Sequence, residues 1–360
     1  ISYYKQKLKE STLNQRKEIE KLFTYGKPIF TYTLLLMNII IFLFLELNGG
    51  STNIENLIQF GAKYNIAILD GEWWRLFSSM FLHIGLLHLV MNMFALYYLG
   101  TAVERIFGSL RFIIIYLLAG LGGGLASFAF TINVSAGASG AIFGLFGALL
   151  FFGLNHKKIF FQTMGKNIIF IIALNVVFGL AVPQIDNSAH LGGLVMGFIA
   201  SAIVHLPKKR QVTFQFSGLL LCAAMIAFLI FFGLQNPQNQ TMQQISKIDE
   251  LNREENFEEV VKLTSELISQ PTQMEAELLF QRAYAYIALN QHDLAIKDLE
   301  ESIQIRGDIP EAYYNLAILY FDKGENELAK DAISKAVEMN PNRDDFNRLY
   351  ERITESAHTD

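Results

Sequence analysis

Cysteine is almost absent. Cys222 is the single example in 360 residues, and it lies inside an apolar run, so an intramolecular disulfide is excluded and a cysteine-based metal site is disfavoured. Charge is missing from long stretches as well. Runs of about 18 to 20 apolar residues fall near 29–47, 81–103, 111–131, 138–154, 167–183, 188–206 and 214–234. The last contains "FSGLLLCAAMIAFLIFFGL" without one charged residue. A chain that is 52% hydrophobic with runs of this length is expected to be a polytopic membrane protein in contact with the lipid bilayer, and at net charge −5 no nucleic-acid partner is expected. The start is charged and polar, so no cleavable signal peptide is expected there.

Basic residues are also scarce in every second connection. Lys5, Lys7, Lys9, Arg16, Lys17, Lys21 and Lys27 crowd the amino end, and alternate loops add Arg105 and Arg111, then Lys157, Lys158 and Lys166, then Lys208, Lys209 and Arg210. The opposite loops hold Lys63 and Arg75. This asymmetry predicts a cytoplasmic amino terminus and, with seven spans, an extracytoplasmic carboxyl end. The expected division is a basic segment at 1–28, a six-helix core at 29–206, a loop with a seventh span at 207–235 and a soluble domain at 236–360.

From Gln235 onward there are 12 Lys or Arg against 25 Asp or Glu. A shift of 34 residues superimposes Ala283 on Ala317, Tyr286 on Tyr320, Leu294 on Leu328, Ala295 on Ala329 and Leu299 on Ile333. That period resembles the tetratricopeptide repeat, in which small alanines let paired helices approach while larger residues fill the layer between pairs. "NFEEVVKLTSELISQP" places a degenerate third unit at 243–271, and "DDFNRLYERITE" reads as a terminal capping helix. The fold class is therefore all-α: a membrane helical bundle followed by an α-solenoid, whose expected ligand is a protein or peptide.

Polar groups inside apolar runs carry a cost, about 2 to 3 kcal/mol for charged ones. "FLHIGLLHLVMNM" places His83, His88 and Asn92 in the second run, with 88 and 92 on one helical face. Ser139 starts the fourth run and His190 stands near the start of the sixth. All enter from the same side, so they can converge. Gly140 with Gly144 and Gly193 with Gly197 are small-xxx-small pairs through which helices four and six could pack closely, bringing Ser139 to His190. A serine beside a neutral histidine is a nucleophile with its base, and His88, Asn92 and the Ser139 amide could stabilise an oxyanion. Singly, each residue has a plainer reading: Ser139 as a helix start, the histidines as packed groups, the glycines and "GLGGG" at 120–124 as packing alone.

Taken in order, "EWWRLFSSMFLHIGLLHLVMNM", "AVERIFG", "GASG" and "AHLGGLVMG" resemble the rhomboid intramembrane serine proteases over roughly 70–206. The resemblance implies Ser139 as nucleophile, His190 as base of a Ser-His dyad, and His88, Asn92 and the Ser139 amide as the oxyanion hole. Gly137 fits the Gly-x-Ser-Gly pattern. Trp74 and Arg75 match a pair in the first outer loop, and Glu104 and Gly108 an element after helix two, both expected to be stabilising. Phe143 stands where many relatives carry tyrosine, keeping a ring against the histidine without its hydroxyl. Transmembrane proteins are the implied substrates, cut near the outer face, and no metal or cofactor is required. Two rivals remain open: a non-catalytic adaptor holding transmembrane clients and recruiting partners through its repeats, and a small transporter. The transporter predicts inverted repeats, and none are apparent.

Overall fold

A computed structural model describes residues 22–182, 185–207, 211–269 and 274–356. Lys5, Lys7, Lys9, Arg16, Lys17, Lys21, Lys208, Lys209 and Arg210, on which part of the orientation argument rests, lie outside the described residues. The chain divides into two compact units, one ending at Asn239 and one beginning at Gln240.

Among the described residues, seven apolar helices build the first unit: α1 Ile29–Leu47, α2 Gly85–Phe107, α3 Ser109–Phe130, α4 Ser139–Asn155, α5 Gly165–Ala181, α6 Asn187–Val204 and α7 Val212–Gln235. Among the described residues, α1, α2, α3, α6 and α7 are each long and apolar enough to cross a bilayer. The other two differ from simple spans. Helix α4 has 17 residues, and α5 follows the short helix Lys157–Thr163 at a bend of 71°. The second helix also starts later than the apolar run suggests. Residues Ser79–Phe81 form a 3-10 turn, Leu82 is extended, and α2 begins at Gly85. His83 therefore precedes the helix instead of lying within it.

Helix α4 is the centre. Nearly every side from Gly140 to Gly153 is buried, against α3 and α6 above all. Lipid tails are as apolar as leucine, so helices associate here through close packing rather than release from water. A methyl on Gly193 would stand 1.9 Å from the Gly140 carbonyl oxygen, and one on Gly197 would stand 2.2 Å from that of Gly144. The two glycine pairs are the sites of contact expected from the sequence, and only a residue without a side chain fits there.

The connections are tied to the bundle by polar groups. Buried Glu104, at the end of α2, accepts from the Phe30 and Thr31 amides at 3.0 and 2.8 Å and from Thr31 Oγ1 at 2.7 Å. It thus satisfies orphan donors at the first turn of α1. Arg75, also buried, donates to the Ile58 and Ala62 carbonyls and pairs with Glu72, with the exposed Trp74 ring 4.9 Å from its guanidinium carbon. Gly108 ends α2 and leads into α3.

The second unit consists of paired helices. In chain order they are α8 Pro237–Arg253, α9 Phe257–Ile268, α10 Glu275–Ala288, α11 His292–Ile305, α12 Pro310–Asp322, α13 Asn326–Met339 and α14 Asp344–Ser356. The earliest pair starts at Pro237, before the expected 243, and residues 270–271 of that expected unit lie outside the described residues. Ala283, Ala295, Ala317 and Ala329 are fully buried, as are Leu299 and Ile333. Leu294 and Leu328 depart from the expected pattern: both are about half exposed and fill no layer. Arg282 forms a two-pronged ion pair with Asp298, at 2.6 and 2.9 Å, and also donates to Ser265.

Candidate active site

Ser139 is the first residue of α4, and its hydroxyl does not cap that helix. Its Oγ instead lies 2.9 Å from His190 Nε2. This disposes of the plainer reading of Ser139 as a helix start that satisfies its own backbone. The 51-residue separation is closed by the glycine contacts between α4 and α6.

The imidazole is oriented by an aromatic stack. Phe143, one turn along α4, stacks on it with centroids 4.1 Å apart and planes 6° from parallel. His190 Nδ1 is buried without a hydrogen-bond partner. Asp186, four residues earlier, is engaged elsewhere: it accepts from the Ala189 amide at 2.9 Å, capping α6, and from the Ser127 hydroxyl. Stacking therefore holds the ring where a carboxylate could have done so.

His88 comes beside Gly137, and Asn92 lies one turn further along α2. Asn92 Nδ2 donates to the His88 carbonyl at 2.9 Å, which leaves its second proton free of that bond. His88 Nδ1 accepts from the Ile84 amide at 3.4 Å, an arrangement that puts the ring proton on Nε2. The His88 ring borders Gly137: a methyl there would be 2.7 Å from its Cε1 and 3.8 Å from Ser139 Oγ. Gly137 also has φ +146, so a side chain would be strained as well as crowded. The Ser139 amide, in the first helical turn, has no carbonyl one turn back in its own helix.

His83 is fully buried, its ring centre 5.5 Å from that of His88, and it braces that ring. Gly140, Gly193 and Gly197 form the packing contact. Trp74, Arg75, Glu104 and Gly108 stand apart from the reacting groups and stabilise connections. Among the described residues no group of His, Cys, Asp and Glu could hold a metal ion. Sequence reasoning missed the Asp186–Ser127 contact and the position of Lys63, a buried residue that lines a cavity of about 30 Å³ together with Ser139 and Ser127.

Comparison with known proteins identifies the domains that make up the chain. A Rhomboid domain matches residues 70–207, and tetratricopeptide repeats match 283–324 and 310–343. The rhomboid protease GluP of Bacillus subtilis is 45% identical over 309 residues, covering 86% of this chain and 61% of GluP. The putative rhomboid protease YdcA of the same organism is 34% identical over 186 residues, which are 51% of this chain and 92% of YdcA. The chain belongs to the rhomboid family. Another rhomboid, the protease AarA of Providencia stuartii, is 30% identical over 240 residues, covering 58% of this chain and 84% of its own. This rhomboid thus spans about three-fifths of the length of GluP and most of the two shorter relatives. Among solved structures, the Sgt2 repeat domain from Aspergillus fumigatus covers 33% of this chain and 80% of its own at 22% identity and a TM-score of 0.31.

Proposed function

We propose that this rhomboid is an intramembrane serine endopeptidase that cuts transmembrane proteins near the outer membrane face, with Ser139 as nucleophile and His190 as general base. The contact that carries this reading is the 2.9 Å separation of Ser139 Oγ and His190 Nε2. As Oγ bonds to the scissile carbonyl carbon, its proton passes to Nε2. The negative carbonyl oxygen is met by His88 Nε2–H, the free Asn92 proton and the Ser139 amide. The C–N bond then breaks, His190 returns the proton to the leaving amine, and Ser139 is left as an ester. Water attacks that ester, its proton moves to His190, and the acid leaves as Oγ regains a proton.

A helical peptide bond is shielded by its own turn, so the substrate segment must unwind, which favours weak helix formers such as Gly or Pro near the cut. The amino terminus is cytoplasmic in this reading and the repeat domain, taken as beginning near 236, is extracytoplasmic, where it binds a protein or peptide. Labelling with a fluorophosphonate is the test. Wild-type protein should be modified at Ser139 and Ser139→Ala should not; a folded wild-type chain that stays unlabelled overturns the assignment. An adaptor role predicts instead that Ser139→Ala leaves client-dependent function intact.

A further inference from the structure

The cavity beside Ser139 is lined in part by a titratable residue that this mechanism leaves unused. Ser127, Ser135, Gly137 and Ser139 line it, and Lys63 is the titratable group on its wall among the described residues. Lys63 is 1% exposed. Its backbone pairs with Ser135 in both directions at 2.8 and 3.0 Å, and its Nζ donates to the Thr131 and Asn133 carbonyls at 3.0 and 2.8 Å. None of these partners is a carboxylate. The acidic group acting on it is Asp186, itself held by Ser127 and the Ala189 amide.

An ammonium buried on carbonyls alone is expensive, and neutral donors could fasten the same loop. Burial pushes the Lys63 pKa down to about 8, with Asp186 opposing the shift. The bonded carbonyls belong to loop 131–138, which carries Gly137 and leads into Ser139. Gly137 is further fixed by its amide, which donates to the Ser79 carbonyl at 2.9 Å. One cation therefore holds the strap that delivers the nucleophile, and Lys63 and Ser139 both line the same small cavity.

We propose that Lys63 is a positioning residue for the reaction at Ser139: its grip on Thr131 and Asn133 sets the approach of Gly137 and the Ser139 amide, and its charge favours the anion formed there. This rests on the proteolytic reading above. Three other titratable groups surround the cavity through its lining residues: Asp186 behind Ser127, His88 behind Gly137 and His190 behind Ser139.

The test uses the full chain and a fluorophosphonate, whose reaction forms an Oγ–P bond, breaks the P–F bond and sends the serine proton through His190. In Lys63→Met the maximal labelling rate should fall about tenfold or more with half-saturation nearly unchanged. The ratio of wild-type to variant rates should shrink between about pH 6.5 and about pH 9.5, because a neutral amine keeps its donors but loses its charge. Lys63→Gln, which retains an amide donor, serves if Lys63→Met does not fold as judged by thermal unfolding. Wild-type rates in the folded variants, or a ratio constant across that range, overturn the Lys63 assignment while leaving Ser139 as nucleophile. An unlabelled wild-type chain brings down the proteolytic reading and this assignment with it.

Discussion

The ring of Phe143 lies parallel to that of His190, 4.1 Å away, and no carboxylate bonds the imidazole from behind. Orientation of the base thus depends on a stacked pair, an interaction of about 0.5 to 1.5 kcal/mol beyond the area it buries. Phe143→Leu should keep the fold and lower the rate of Ser139 labelling about threefold to tenfold. Phe143→Tyr should retain the wild-type rate. Equal rates in Phe143→Leu and wild type would show that the ring is held by something else.

Close approach of α4 and α6 makes a second expectation. A methyl at position 193 would meet the Gly140 carbonyl oxygen, a backbone atom that cannot swing away. Gly193→Ala should therefore cost at least about 1 to 3 kcal/mol in stability and separate Ser139 from His190, so that thermal midpoint and labelling drop together. Preserved labelling in this variant would mean that the helices can part without moving the dyad.

Much of this site was legible because its signals are local and periodic. The two glycine pairs mark facing helices, and Ser139, His190 and His88 fall near the starts of their helices, with Asn92 one turn after His88. Features that depend on loop geometry were not legible. His83 sits in an apolar run, yet the turn at Ser79–Phe81 and the extended Leu82 take it out of the helix. Lys63 and Arg75 count by sequence as outer-loop charges, but both are buried and satisfied by backbone carbonyls. Nothing periodic announces a buried cation in a short loop. In the repeats, a 34-residue match at Leu294 and Leu328 was read as layer packing, and period alone does not tell a covered position from an open one.

Glu104 offers a test away from the reacting groups. It accepts three hydrogen bonds from the start of α1 with no exposure to solvent. Bonds to a charged group are worth about 1.5 to 3 kcal/mol each, and losing the acceptor strands buried donors. Glu104→Ala should destabilise the membrane unit by about 3 kcal/mol or more, seen in thermal unfolding, and Glu104→Gln by less. An unchanged midpoint in Glu104→Ala would remove its role as the anchor of α1.

In the repeat unit, Arg282 and Asp298 are partly and almost fully buried and face each other in a two-pronged pair. Breaking such a pair from one side leaves a buried charge and costs about 3 to 5 kcal/mol, whereas replacing both members with apolar groups is often near neutral. Asp298→Leu alone should thus unfold the repeat helices at a lower temperature. Arg282→Met with Asp298→Leu should recover most of the loss. Failure of the double variant to recover would indicate that the pair is not the coupled unit its geometry describes.

Lys63 ties activity and stability to pH in opposite directions. Its ammonium loses a proton near pH 8 in the folded chain and near 10.4 when unfolded. Between those values the unfolded chain binds more protons, so stability rises with pH and the penalty of the buried charge, present below pH 8, is regained. The gain is ~3 kcal/mol at most for a shift of this size. Activity is expected to move the other way, since the charge that holds the loop before Ser139 disappears over the lower part of the same window. Thermal unfolding and fluorophosphonate labelling of wild type and Lys63→Met, each from about pH 7 to about pH 10, separate this group from all others that titrate. Wild type should gain stability relative to the variant while losing its advantage in rate; a stability difference that stays flat would mean that Lys63 keeps its proton throughout.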